Sequence, residues 1–260
     1  MRKFFGILIL LAAALPAHAG AINGGVEKQD FKPGTNQVID SSTGAGISNA
    51  QIHLPTKNYS TQTDEDGKFD LGTQINAPTI MSVNKEGYRP YSLTIDSDST
   101  IKPLRIGIEK STPQDVIVET NLVHLGDDSF SANSANAGDF SGKSVGPFYS
   151  KNFLIKEIKP GEDAYLILGS IIGIDTLTAR QLGQSKVASA YAAPPEVYCN
   201  GNKLADIKIN GDSQEIKIPR SIIKPGTHND ITIKAGKNLF QTAYIDYDDI
   251  EFTNIRIEIR

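Results

Sequence analysis

The run V-I-D-S-S-T-G-A-G-I-S-N-A-Q-I-H-L spans Val38 to Leu54, S-T-Q-T-D-E-D-G-K-F-D-L spans Ser60 to Leu71, and V-N-K-E-G-Y spans Val83 to Tyr88. Apolar and polar residues alternate through all three around clusters of turn formers. Asp40 to Gly46 separates Val38-Ile39 from the alternating set Ala50, Ile52 and Leu54. Asp66-Gly67 likewise separates the run Ser60 to Thr63 from Phe69 and Leu71. A period of two broken by Asp, Gly and Ser predicts consecutive antiparallel strands. Asp64-Glu65-Asp66-Gly67 lacks the downstream ligands of a calcium loop and is read as the turn of a hairpin.

In this order the segments resemble the carboxypeptidase regulatory-like domain, a small transthyretin-like β-sandwich, over residues 35–118. The resemblance implies an accessory module without catalytic residues of its own. One position departs from the family pattern: Gly46 precedes Ile47 where the family places Pro or a similar small residue. Further strands are expected at Ile80 to Val83, Tyr91 to Ile95, Ile101 to Ile108 and Asp115 to Val118.

Upstream, Arg2 and Lys3 precede an apolar stretch from Phe4 to Leu15, and Ala17-His18-Ala19 precedes Gly20. This is the pattern of a secretory signal peptide over residues 1–19, too short to serve as a spanning helix. Residues 20–34 read as a polar leader. The mature chain is expected in the periplasm or outside the cell, with no transmembrane segment. Losing Arg2 and Lys3 takes the formal net charge from −4 to −6, with both signs interspersed, and nothing suggests a nucleic-acid partner. The single Cys199 cannot form an intramolecular disulfide; it is read as a buried small apolar residue, with a reactive thiol or an intermolecular bridge as the alternative.

Residues 119–260 carry the same β signature. Ala164 to Ile174 is an apolar run with Gly169 and Gly173 inside it, consistent with a strand buried on both faces. Thr176 to Gly183 could form a short helix, and Asn200-Gly201 signals a tight turn. Ile250 and Phe252 share one parity while Ile255, Ile257 and Ile259 share the other, so a bulge near Thr253-Asn254 is needed to give a single buried face. The fold class is therefore all-β, with two sandwiches: a transthyretin- or Ig-like Greek key, then a jelly-roll.

Two acidic clusters stand near the ends of this second half: Asp127-Asp128, and Asp246 through Glu251. A jelly-roll sets its first and last strands side by side, which would bring the clusters together. Crowded carboxylates repel unless protonated or bridged by a cation, so Asp127, Asp128, Asp248, Asp249 and Glu251 are expected to hold a structural Ca²⁺. The alternative is a solvated acidic rim.

The segments H-L-G-D-D-S-F, starting at His124, and D-Y-D-D-I-E-F-T-N, starting at Asp246, resemble carbohydrate-binding jelly-roll modules of the galactose-binding-like type. That resemblance implies a calcium near the terminal strands and a sugar site on a sheet face or in loops. The chain has no Trp, so Tyr149, Tyr191, Tyr198, Tyr244 and Tyr247 are the candidate platforms against sugar C–H faces. No zinc or nucleophile motif accompanies His53, His124 or His228, and His124 is read as a structural histidine or a ligand contact. The reading is a secreted, noncatalytic carbohydrate-binding or adhesive accessory protein with glycan as partner. The alternatives are an envelope assembly protein binding another protein, and a glycoside hydrolase using carboxylates that sequence alone does not pair.

Overall fold

A computed structural model describes residues 35–260 except 132, 133, 136–139, 141, 186 and 188–190. The signal peptide and leader read from residues 1–34 lie outside the described residues.

The alternating runs become strands whose apolar parity faces inward. They are β1 (Asn36–Asp40), β2 (Gln51–Leu54), β3 (Tyr59–Gln62), β4 (Lys68–Phe69), β5 (Thr79–Asn84), β6 (Tyr91–Ile95) and β7 (Arg105–Ile108). Sheets β4-β1-β7 and β3-β2-β5-β6 enclose Val38, Ile52, Leu54, Met81, Val83, Ile106 and Ile108. The turn after β1 is built by Asp40, whose Oδ1 accepts from the Ser42 and Thr43 amides at 2.9 and 3.1 Å. Asp64 does the same for the turn from β3 to β4, accepting from the Asp66 and Lys68 amides; this turn was expected to close a hairpin, but it carries the chain from one sheet to the other. Gly46 is required where it stands, because a Cβ there would lie 2.0 Å from the Asp66 carbonyl oxygen. Of the predicted strand from Ile101 to Ile108 only the second half forms; Ile101 lies in a turn with 76% of its surface exposed.

The rest of the chain supplies β8 (Val116–Glu119), β9 (Val123–Leu125), β10 (Phe148–Leu154), β11 (Ala164–Ile172), helix α1 (Leu177–Gln181), β12 (Glu196–Cys199), β13 (Asn202–Asp206), β14 (Gly211–Ile218), β15 (His228–Lys234) and β16 (Ile250–Ile259). One sheet runs β14-β11-β16-β8, with β9 also on β16, and the other runs β10-β15-β12-β13. The first strands lie beside the last, and every connection except β8–β9 and the β12–β13 hairpin crosses from one sheet to the other. This is a jelly-roll. A strand from Asp115 to Val118 was expected to close the first sandwich, but the strand that forms, Val116–Glu119, pairs with β16 and sends Val118 into the second core.

Thr176 caps α1, its Oγ1 accepting from the Ala179 amide at 3.1 Å. The β12–β13 hairpin turns through Asn200 and Gly201, at φ 49° and 74°. Cys199 is a buried free thiol of the second core, and burial pushes its pKa up to about 11. Among the described residues no helix is long and apolar enough to cross a membrane.

β11 is buried on both faces because the first sandwich packs on its outer side. Leu166, Leu168 and Ile171 enter the second core, while β5 and β6 lie against β11, β14 and β16. Ser170 Oγ donates to Ser92 Oγ at 2.9 Å, and the Thr94 amide donates to Asp212 at 3.0 Å. Four sheets thus stack in order, and the inner two share a closed interface.

Candidate functional site

The site is set by register. Antiparallel pairing of β9 with β16 places His124 opposite Glu251 and Leu125 opposite Ile250, so Asp127-Asp128 just beyond β9 meets Asp246 to Asp249 just before β16. Ile250 and Phe252 turn into the core, which sends Asp249 and Glu251 to the other face of the strand together with His124.

There Asp249 Oδ1 lies 2.9 Å from His124 Nε2 and accepts from the Asp128 amide at 3.0 Å. His124 Nδ1 lies 2.6 Å from the Gly142 carbonyl oxygen. Both ring nitrogens thus face oxygens, and the ring donates to both only as an imidazolium. Burial opposes that charge, but the Asp249 carboxylate and the Gly142 carbonyl raise the His124 pKa above its usual range. Phe140 closes over the ring edge-on, with centroids 5.1 Å apart. Gly126, at φ 147°, makes room for the carboxylate: a Cβ there would stand 2.1 Å from Asp249 Oδ1.

Glu251 is fully buried, and neither of its carboxylate oxygens has a hydrogen-bond partner. Burial pushes its pKa up to about 7, against the pull of His124. Asp249 Oδ2 is buried and unpartnered too. His124, Asp128 and Asp249 each bring a ligating atom within 4.8 Å of the others.

The five expected metal ligands therefore divide. Asp128, Asp249 and Glu251 gather round His124. Asp127 instead binds main chain, its Oδ2 accepting from the Tyr247 amide at 2.8 Å and its Oδ1 from the Ser129 amide at 3.1 Å. Asp248, of opposite parity, turns toward Asp175 at the end of β11, where its Oδ2 accepts from the Asp175 amide at 2.9 Å. Burial and the neighbouring acids Asp175, Asp249 and Asp246 raise the Asp248 pKa well above its ordinary value, and burial raises that of Asp175 to about 6.

The five tyrosines do not form one surface. Tyr149 donates to Glu119 at 2.9 Å and packs edge-on against Phe252. Tyr198 donates to Glu196 at 2.8 Å under Lys234. Tyr247 lies edge-on to Phe148, with the Lys237 ammonium 5.6 Å from its ring centre. Tyr191 stacks under Arg180 at 3.9 Å and meets Phe240 edge-on at 5.1 Å. Tyr244 is exposed on the β15–β16 loop with Leu239, Phe240 and Ile245. The base of that loop is tied by Asn238, which donates from Nδ2 to Asp246 at 2.9 Å.

Sequence reasoning passed over Asp175 and Phe240. The signal for Asp175 is a lone acid ending an apolar run, and that for Phe240 is an aromatic in the same turn-rich loop as Tyr244. No protein family model and no curated protein matches this chain.

Proposed function

We propose that this is an exported, noncatalytic accessory protein that binds carbohydrate or adheres to a surface. In this reading the first sandwich is a carboxypeptidase regulatory-like module. The second is a carbohydrate-binding-type jelly-roll whose terminal strands are clamped by a calcium ion. The observation that carries it is the set of buried, unpartnered carboxylate oxygens of Asp249 and Glu251 at the junction of the first and last strands.

Charge and chemistry agree with that occupant. Asp128, Asp249 and Glu251 bring three carboxylates against the one imidazolium of His124, which leaves the charge of two carboxylates for a divalent cation to neutralise. Flexible carboxylate oxygens suit Ca²⁺. His124 then orients Asp249 and need not be a ligand itself. Bound calcium would supply a cross-link between β9, β16 and the loop through Gly142, not a reactive group. Asp248, Asp249 and Glu251 are closed off from solvent.

The ligand surface fits the loop end, where Phe240 and Tyr244 are exposed aromatics and Phe240 packs against Tyr191. The exposed Leu239 and Ile245 beside them favour a second reading, a protein partner in the cell envelope. A glycan array run with Ca²⁺ and with chelator tests the first reading. It expects glycan binding that weakens in chelator and with Phe240→Ala. No binding in either condition, together with capture of an envelope protein that Phe240→Ala abolishes, supports the second.

A further inference from the structure

Asp175 and Asp248 form a second cluster that the terminal-strand clamp does not use. Both are fully buried, and each keeps one oxygen without a partner, Oδ2 of Asp175 and Oδ1 of Asp248. Their other oxygens are committed: Ser185 Oγ donates to Asp175 Oδ1 at 2.5 Å, and the Asp175 amide donates to Asp248 Oδ2 at 2.9 Å. Asp246 next to them is saturated by Ser134 Oγ, the Ala135 amide and Asn238 Nδ2, so it has no reason to bind anything more. The charges acting on Asp248 are those of Asp175, Asp249 and Asp246, all acids. The Arg180 guanidinium, stacked on Tyr191, acts on Asp175 but not on Asp248. Two ionised carboxylates closed from water with a single cation acting on one of them are costly.

We propose that Asp175 and Asp248 hold a second divalent cation, separate from the one at Asp128, Asp249 and Glu251. Its donors are oxygens alone, which selects a hard cation, Ca²⁺ or Mg²⁺. The two sites lie on opposite faces of the strand entry, since Asp248 and Asp249 are consecutive and alternate. The second ion ties the segment preceding α1 to the β15–β16 loop. Those pieces already meet through main chain: the Ala192 amide donates to Asp175 O, the Leu239 amide to Tyr191 O and the Asp248 amide to Gly236 O, each at 2.8 Å. The ion would therefore sit beneath the exposed surface of Tyr191, Leu239 and Phe240 and hold its two halves together.

Equilibrium dialysis of the chelator-stripped full chain against Ca²⁺ tests this. The wild type should bind two ions, Asp249→Asn one and Asp175→Asn one. A wild type that binds a single ion, lost in Asp249→Asn and kept in Asp175→Asn, overturns the second site and leaves the terminal clamp standing. A proton shared between the two carboxyls would give that result. A wild type that binds none overturns both. Should Asp175→Asn fail to fold, Ser185→Ala keeps both carboxylates and removes only the hydroxyl that orients Asp175. It should weaken one of the two sites on the order of tenfold, and unchanged affinity at both sites counts against the proposal.

Discussion

Gly169 and Asn254 stand opposite each other in the central strand pair of the jelly-roll, between the pairs Leu168–Ile255 and Ser170–Thr253. At this point both strands exchange faces without losing register. In β11 the core parity passes from Leu166 and Leu168 to Ile171; in β16 it passes from Ile250 and Phe252 to Ile255, Ile257 and Ile259. Asn254 makes the change in the left-handed region at φ 57°, and Gly169 leaves it space. A Cβ on Gly169 would come within 2.6 Å of Ser92 Oγ and 2.7 Å of Asn254 Cβ. Gly169→Ala should therefore destabilise the chain by roughly 1–3 kcal/mol, read as a lower denaturation midpoint. An unchanged midpoint would show that the crossing is not close-packed.

The same crossing lies where the first sandwich rests, which makes the inner sheets interdependent. Ile80 and Ile167 are buried although neither belongs to the core of its own sandwich, which puts them in the layer between the two. Thermal unfolding of the wild type is expected as one transition shared by both sandwiches. Ile167→Ala should cost roughly 2–5 kcal/mol and separate the melt into two steps. Calorimetry that shows two independent transitions already in the wild type would mean that the interface contributes little.

The strands were legible wherever one face is apolar and the other polar. Tyr91–Ile95 is found with its expected bounds, and the parity change in the last strand was visible as a mismatch between Phe252 and Ile255. The predicted bulge lies differently: pairing with β11 stays in register because Gly169 compensates, and the slip falls on the β8 side between Ile255 and Arg256. Val116–Glu119 could not be assigned to its sheet from local pattern, since its partner β16 lies more than a hundred residues away. The meeting of the acidic clusters followed from jelly-roll order. Which carboxylates share a face did not, because Asp248 and Asp249 separate only through strand parity and the partner of Asp248 is Asp175, remote in sequence.

Acid should loosen the tie between β8 and β10 through Glu119. Its Oε1 accepts from the Asn121 amide and side chain at 3.0 and 2.9 Å, and its Oε2 accepts from Tyr149 and Lys151 at 2.9 and 3.0 Å. Burial raises its pKa, but these donors outweigh burial and bring it from 4.5 down to about 2. A depressed carboxylate stabilises the fold fully above its unfolded value and loses that contribution as pH falls through the folded one. Glu119→Gln should therefore melt below the wild type at pH 6, and the gap should close between about pH 4.5 and pH 2. A gap that stays constant down to pH 2 would assign the loss to packing and not to charge.

Gly126 gives the sharpest test of the terminal clamp, because it perturbs the carboxylate without removing it. Its φ of 147° disfavours a side chain, and the position of a Cβ overlaps Asp249 Oδ1. In Gly126→Ala the Asp249 carboxylate must swing off His124 and the Asp128 amide, or β9 must draw back from β16. Either movement spoils the oxygen cluster while every acid remains. If a cation cross-links the two strands, wild-type protein should melt several degrees lower in chelator than in excess Ca²⁺, since an ion bound only by the native state stabilises it by mass action. In Gly126→Ala the two melting temperatures should converge on the chelator value. A variant that keeps the full calcium-dependent shift would place the ion elsewhere, and a wild type with no shift would leave His124, among the described residues, as the positive charge facing Asp249 and Glu251.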